Sequence, residues 1–360
     1  MLSVAYQYGV RPLLFSLDPE AAHHFAIATC HRISESPILQ AIAKSTFYYN
    51  DSRLSQTLWN LKFENPVGLA AGFDKNAEVY DKMLALGFGF AEVGTITPKP
   101  QEGNLKPRVF RLMEDEAIIN RLGFPNQGLA KIKSRIETKK AEGILGINIG
   151  PNKDSASRID DYVECFKNFH NLCSYICINI SSPNTENLRN FHEQENLKKL
   201  LSEILNTKKY LSSNTPVILK ISPDINDADI DMICKNILEF NLDGLVLTNT
   251  SVKLRENLVN KQKNEMGGVS GTPIKDTSNL IIKKFFKTLK AKVPIIGVGG
   301  INSGISAYEK IRAGASLLQL YTGLVYKGPF VVRAIKQELA ELLRRDGFSS
   351  LQKAVGVDSE

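Results

Sequence analysis

Two lysines, five asparagines and one serine stand where apolar runs of this chain give way to polar residues, and together they describe a site for a flat, anionic ligand. Lys75 follows Gly72-Phe73-Asp74, and Lys220 lies inside the run Pro216 to Ile221, so both ammonium groups are expected to be near-buried. Such a cation is costly unless an anion faces it. The pair therefore points to an anionic substrate, an electron-rich cofactor, or both, the alternative being a structural ion pair with Asp74 or Asp224. Asn120, Asn148, Asn179, Asn184 and Asn249 offer donor and acceptor together. In that number they suit a planar ligand edged with alternating carbonyl and NH groups, such as a pyrimidine or a flavin, although a single asparagine is ordinarily a turn residue. Ser182, in Asn179-Ile180-Ser181-Ser182-Pro183-Asn184-Thr185, has no histidine in local motif position. By itself it reads as a loop hydroxyl rather than a base. Gly297-Val298-Gly299-Gly300-Ile301 and Tyr321-Thr322-Gly323 supply approachable backbone amides of the kind that hold a phosphate, although glycines also serve turns with no ligand present.

These residues need a frame that brings distant segments to one place. Eight short runs rich in Val, Ile and Leu recur at Pro66 to Ala71, Phe90 to Ile96, Ile144 to Ile149, Tyr175 to Ile180, Pro216 to Ile221, Gly244 to Thr248, Pro294 to Val298 and Leu317 to Tyr321. Amphipathic stretches lie between them, at Asp160 to Asn171, Glu195 to Tyr210, Ala228 to Phe240 and Ser278 to Lys290. Strand and helix in alternation give a parallel sheet. The count of eight, with polar or glycine residues at the same end of every strand, predicts an α/β fold of the (β/α)8 TIM barrel kind, whose chemistry sits at the strands' carboxyl ends. The glycine segments then follow strands seven and eight, where such barrels commonly bind phosphate. Residues 97 to 142, with Thr97-Pro98-Lys99-Pro100 and Arg111-Leu112-Met113, exceed one crossover and are expected to pass over the barrel mouth.

Composition agrees with a globular enzyme and excludes other classes. Of 360 residues, 43% are hydrophobic and 23% charged, which rules out disorder and collagen-like repeats. The net charge of +7 is spread along the chain. Lys283, Lys284, Lys287, Lys290 and Lys292 are expected on the solvated face of one helix, so no nucleic-acid partner is read from the charge. Cys30, Cys165, Cys173, Cys177 and Cys234 include no C-x-x-C pair, and His23-His24 is the one adjacent histidine pair. The expectation is a reducing compartment and no metal.

Residues 1 to about 60 precede the first barrel strand. Val4, Tyr8, Val10, Leu13, Leu14 and Leu17 form one apolar stripe and Ala22, Phe25, Ala26 and Ile33 another, with Asp18-Pro19-Glu20 between them as a helix start. This predicts an N-terminal helical hairpin. It is either a plug on the barrel's underside or an element for a membrane surface or lipophilic ligand. It is not a cleavable signal, and no run is long enough to span a bilayer.

The segments Asn65 to Lys75, Gly94 to Pro98, Asn120 to Phe124, Gly146 to Gly150, Ile178 to Thr185, Thr248 to Thr250, Gly267 to Gly271 and Gly297 to Ile301 together resemble the dihydroorotate dehydrogenase family, specifically its membrane-associated, quinone-using class 2. The resemblance covers residues 1 to about 335. It implies oxidation of dihydroorotate to orotate in pyrimidine synthesis, with FMN as cofactor and a membrane quinone as acceptor. It implies that Ala71, Gly72, Phe73, Asp74, Lys75, Thr95, Asn148, Asn179, Lys220, Thr248, Gly271, Gly300, Tyr321 and Thr322 hold FMN. Substrate would be held by Lys75, Asn120, Arg121, Leu122, Gly123, Phe124, Asn179, Asn184, Asn249 and Thr250, with Ser182 as the base. The class follows from serine where soluble members use cysteine, and from the N-terminal hairpin. Pro125 departs from the asparagine that members often carry there. The implied organisation is a membrane and quinone segment over 1–45, an FMN-binding barrel over 46–345 and a tail over 346–360, on the cytoplasmic face of a bacterial-type cell membrane with no transit peptide.

Two rivals compete with this reading. A flavin barrel acting on tRNA uridines needs a catalytic cysteine on the active rim and an added RNA-binding domain. Here Cys177 lies inside a strand, the other cysteines are assigned to helices, and no such domain is evident. A barrel that only binds a phosphorylated ligand or scaffolds a membrane would not need Ser182 and both lysines.

Overall fold

The computed structural model describes residues 4, 6–35, 37–139 and 143–359. Its strands in chain order are β1 (Gln56–Leu58), β2 (Leu61–Phe63), β3 (Val67–Leu69), β4 (Phe90–Ile96), β5 (Val109–Leu112), β6 (Ala117–Asn120), β7 (Leu145–Ile149), β8 (Tyr175–Asn179), β9 (Val217–Ile221), β10 (Gly244–Leu247), β11 (Gly268–Gly271), β12 (Ile295–Val298) and β13 (Leu317–Leu320). The eight that fall in the predicted apolar runs close into a parallel barrel, in the order β3-β4-β7-β8-β9-β10-β12-β13. Each is apolar on both faces because one face fills the interior and the other meets a surrounding helix. The four anticipated helices appear as Arg158–Phe169, Gln194–Tyr210, Asp227–Glu239 and Lys275–Thr288. Lys290 and Lys292 fall beyond the end of the last of these, so they do not share its face as expected.

Size alternates inside the barrel. Phe90 and Tyr175 are fully buried there, and each faces a glycine: a Cβ on Gly68 would lie 2.3 Å from the Phe90 ring, and one on Gly146 would lie 2.1 Å from Tyr175. Phe63, Phe90, Tyr175, Cys177, Ile218, Val246, Ile296 and Leu317 form the lower interior layer. The hairpin β1-β2 caps it from below. Trp59 and Asn60 at its tip have φ of 53° and 60°, the left-handed pair that a two-residue hairpin turn requires. The Trp59 indole N–H donates to the Asp243 carbonyl, just before β10 begins, at 2.6 Å.

That hairpin settles the placement of the N-terminal helices, Arg11–Ser16, Pro19–Glu35 and Pro37–Phe47. They are not the underside plug that the sequence left open, because β1-β2 occupies the underside. The first two lie instead against the carboxyl rim, where the His23 ring meets Phe73 edge-on at 5.1 Å and Phe15 meets Tyr326 at 5.3 Å, and the third runs along the barrel's flank, Phe47 meeting Phe330 at 5.0 Å. Asp18 begins the second helix as anticipated, its carboxylate accepting from the Glu20 and Ala21 amides at 3.0 Å each. The side chain of Ile33 lies outside the described residues.

Of the stretch 97 to 142, residues 97 to 139 do cross the mouth, as a small sheet and then the helix Leu129–Lys139, and residues 140 to 142 lie outside the described residues. The sheet has a strand the sequence did not disclose: β11, from the excursion after β10, pairs antiparallel with β6, which pairs in turn with β5. The last residues, expected to trail as a tail, pack against the barrel. Leu351 and Ala354 are fully buried, Asp358 pairs with Arg312, and the Ser359 hydroxyl donates to the Ala313 carbonyl at 2.8 Å.

Phe63→Ala should cost about 3–5 kcal/mol, since it opens a cavity between the capping hairpin and the lower layer. Urea unfolding measures this, and a loss below about 1 kcal/mol would show that the hairpin does not seal the barrel.

Candidate active site

The interior polarity begins one layer above Tyr175. Glu92, on the inward face of β4, is completely buried, and its carboxylate accepts from Asn148 Nδ2 at 2.8 Å, the Tyr175 hydroxyl at 2.9 Å and Gln319 Nε2 at 2.8 Å. A buried carboxylate accepts only, so it fixes which way each neighbour points. With its NH2 turned to Glu92, Asn148 presents its oxygen upward, where Thr95 Oγ1 donates to it at 2.6 Å and Asn179 Nδ2 at 3.1 Å. Asn179 Nδ2 also reaches Thr95 Oγ1 at 3.0 Å, and its oxygen accepts from the Ser181 hydroxyl at 2.9 Å. Asn249 Nδ2 donates to Ser181 Oγ at 2.9 Å, and the Asn249 oxygen takes the Thr250 amide at 2.8 Å.

Above this network opens a cleft of about 1040 Å³, shared with solvent, at the carboxyl ends of the strands. Ala71, Gly72, Lys75, Thr95, Asn179, Lys220, Thr248 and Tyr321 line it, as do Ser182, Asn120, Leu122, Gly123, Phe124, Asn184, Asn249 and Thr250. An adjoining pocket of about 430 Å³ is lined by Gly271, Gly300, Tyr321 and Thr322. The two share Ser270, Val298, Gly299 and Tyr321. Gly271 and Gly300 have φ of 99° and 72°. A Cβ there would lie 2.3 Å from the Glu116 oxygen and 2.4 Å from Lys275 Cβ, so the fold itself demands glycine at both.

Other residues expected at the site do not open on either space. Asn148 lies beneath the cleft floor. The Asp74 carboxylate accepts the Glu78 and Val79 amides, each at 2.7 Å, and so shapes the turn that carries Lys75. Phe73 packs on His23 and Tyr321. The Arg121 guanidinium turns outward to Glu265, the Met266 carbonyl and the Pro107 carbonyl.

The lysines have the character that the sequence implied. Asp74 is occupied by amides, Asp224 is paired with Arg189 at 2.9 Å, and among the described residues no carboxylate lies within 4 Å of Lys75 Nζ or Lys220 Nζ. Lys220 is 5% exposed. Burial pulls the Lys75 pKa down to about 8, opposed by Glu20 and assisted by Arg108. The Thr248 and Thr250 hydroxyl oxygens and Gln319 Oε1 are buried without a hydrogen-bond partner. A cleft with unpaired cations and idle hydroxyls has the donor set for a ligand rich in acceptor oxygens.

Ser182 is 5% exposed, and its Oγ accepts the Asn184 amide at 3.2 Å. Arg189 holds this loop in place: it donates to the Ser181 carbonyl at 3.3 Å, the Thr250 carbonyl at 3.2 Å and Asp224. Asn184 Nδ2 reaches Asn120 Oδ1 at 3.3 Å. The N-terminal helices join the rim through Arg108, which grips the Glu20 carboxylate at 2.8–3.2 Å, and through Arg111, which donates to the carbonyls of Leu14, Phe15 and Leu17.

Sequence reasoning missed Glu92, Arg108 and Arg189. Glu92 left a trace, a single acid at inward parity within the apolar run Phe90 to Ile96, whereas Arg189 left none. Cys177 lies in the lower core rather than on the rim. Cys173, expected in a helix, sits in the turn that follows one. Among the described residues no group of three or more His, Cys, Asp or Glu is placed to hold a metal.

A family model described as dihydroorotate dehydrogenase matches residues 53–343. The chain belongs to the dihydroorotate dehydrogenase family. It is 48% identical over 350 residues to the dihydroorotate dehydrogenase (quinone) of Parvibaculum lavamentivorans, covering 97% of each chain. It is 43% identical to the enzyme of the same name from Rhodospirillum rubrum, covering 96% of this chain and 93% of that one. A crystal structure of DHODH from Eimeria tenella in complex with ferulenol superposes with a TM-score of 0.87 at 38% identity, over 95% of this chain and 96% of that one. The dihydroorotate dehydrogenase family uses FMN. The donors left unpaired in the cleft, together with the glycine-lined pocket beside it, fit a flavin carrying a phosphate.

Proposed function

We propose that this protein oxidises dihydroorotate to orotate, with FMN bound along the barrel mouth and a membrane quinone as electron acceptor. The observation that carries the reading is the convergence of two carboxylate-free ammonium groups and the Ser182 hydroxyl on one cleft. Family membership supports the reaction.

Ala71, Gly72, Lys75, Thr95, Asn179, Lys220 and Thr248 would meet the flavin, from the main cleft. Gly271, Gly300, Tyr321 and Thr322 would meet its phosphate, in the adjoining pocket. FMN, when bound, supplies the hydride acceptor and the route for electrons onward to quinone. The protein's own residues do the rest. Ser182 Oγ takes the proton from carbon 5 of dihydroorotate as the hydroxyl's own proton leaves to water, and Arg189 keeps its loop in register. Lys75 offers its charge to the substrate carboxylate, and Asn120, Asn184, Asn249 and Thr250 orient the ring's carbonyl and NH groups. Lys220 is a fixed cation on the flavin side of the cleft, suited to stabilising negative charge that develops there. Arg121 contributes through its backbone, since its side chain is engaged elsewhere.

The N-terminal helices support association with a membrane surface. Tyr8, Leu13 and Ile38 are 79%, 72% and 72% exposed, and Val4, Val10, Phe25 and Ile42 are also open to solvent. A concentration of exposed apolar side chains on one element marks an interaction surface. No helix among the described residues is long and apolar enough to cross a bilayer, so the contact would be peripheral.

Ser182→Ala should keep its flavin and lose about 10²–10⁴-fold in the rate at which dihydroorotate bleaches it. Unchanged turnover would refute the base. Orotate affinity should be level from pH 7 to about 8 and then weaken by up to about tenfold per pH unit, because free Lys75 loses its charge above about 8 and the carboxylate binds only the charged form. Calorimetric titration across pH 7 to 9 tests this, and a flat profile, as a lysine of ordinary pKa gives, would remove Lys75 from the carboxylate. The double variant Leu13→Glu, Phe25→Glu should lose co-sedimentation with phospholipid vesicles and slow reduction of vesicle-borne quinone, with dye-linked oxidation within about twofold of the original. Undiminished vesicle binding would overturn the membrane assignment.

A further inference from the structure

Lys310 is among the largest side chains in the molecule to be wholly shielded from water, yet the chemistry above makes no use of it. It belongs to the helix Gly304–Arg312, and its stem runs beneath β12, where a Cβ on Gly297 would lie 2.7 Å from Lys310 Cδ. Its ammonium donates to Asn279 Oδ1 at 2.6 Å and to Ser278 Oγ at 2.9 Å, both neutral acceptors. Neighbouring Glu309 is taken by Lys275 at 3.0 Å, and among the described residues no carboxylate lies within 4 Å of Lys310 Nζ. A buried cation with only neutral partners is unfavourable unless negative charge lies close by.

The hydrogen bonds lead to where that charge would be. Ser278 accepts from Lys310 and donates its own hydroxyl proton to the Val298 carbonyl at 2.6 Å. The same carbonyl takes the Thr248 amide at 3.1 Å. In a trans peptide the next N–H points opposite to the carbonyl, so these two donors fix the Gly299 N–H to face away from Ser278. Val298, Gly299 and Gly300 then form part of the wall of the pocket of about 430 Å³, which Tyr321, Thr322 and Gly323 also line. Glu116, the one carboxylate among the described residues lining that pocket, is already engaged by Lys327 and Asn302. Burial draws the Lys310 pKa down to about 7, Glu309 opposing and Lys275 assisting, so an anion across the turn would help it keep its charge.

We infer that Lys310 is a positioning residue for the cofactor's phosphate, holding the Val298-Gly299-Gly300 turn through Ser278 and setting a fixed positive charge behind it. This deepens the FMN reading and rests on it. The class of ligand recognised is a phosphate monoester, so the contribution belongs to the phosphate and not to the ring system.

The test compares FMN with riboflavin, which lacks the phosphate, by fluorescence titration of the full chain freed of flavin. The original protein should prefer FMN. Lys310→Met should weaken FMN binding by about tenfold, as loss of one charge-assisted interaction does, while riboflavin affinity stays within about twofold. Ser278→Ala should lower the same preference, and it carries the test should the methionine variant fail to fold. Equal weakening of both flavins, the signature of mere structural damage, overturns the inference, and so does an unchanged preference. An original chain that takes up neither flavin overturns the FMN reading, and this inference with it.

Discussion

A single buried carboxylate gives the barrel mouth its direction. Glu92 can only accept, and three donors converge on it from β7, β8 and β13. Once Asn148 is committed to donating downward, the amides and hydroxyls above it have one self-consistent arrangement, running through Thr95 and Asn179 to Ser181 and Asn249. Without that anchor each amide could flip, and the cleft would present a mixture of donors and acceptors. The pattern of donors and acceptors that the cleft offers is thus set one layer below its surface, in a region shielded from water.

The same separation of layers explains how two lysines can sit unpaired in the cleft wall. The carboxylates near them are occupied elsewhere: Asp74 shapes a turn and Asp224 holds Arg189. Arg189 in turn links the loop that carries Ser182 to the loop that carries Thr250. The structural charges are satisfied among themselves, and those left over are free to meet a ligand. Below, the Trp59 hairpin closes the barrel with apolar rings. Above, the excursions after β4 and β10 join in a three-stranded sheet.

Much of this could be read from the sequence, because barrels repeat. Eight apolar runs with polar ends gave strand positions to within a residue or two, and many of the residues at those ends line one cleft, although Phe73, Asp74 and Asn148 do not. What escaped notice depended on pairing between distant segments. The β6–β11 ladder joins residues about 150 apart by main-chain hydrogen bonds, which leave no side-chain pattern. The hairpin at Gln56–Phe63 is too short for its alternation to stand out. The placement of the N-terminal helices needed contacts from Arg108 and Arg111, which read as ordinary surface charges. Arg121 shows the opposite case: a motif position pointed to the residue, but its guanidinium answers to Glu265 and leaves only its backbone toward the cleft.

The bond between Arg111 and the first helix has a bearing on how such a protein changes over time. Arg111 grips the main-chain carbonyls of Leu14, Phe15 and Leu17, groups that every amino acid carries. The outward-facing side chains of that helix can therefore be exchanged for others while the attachment holds. One arginine thereby separates what the helix displays to its surroundings from the way it is fastened to the barrel mouth.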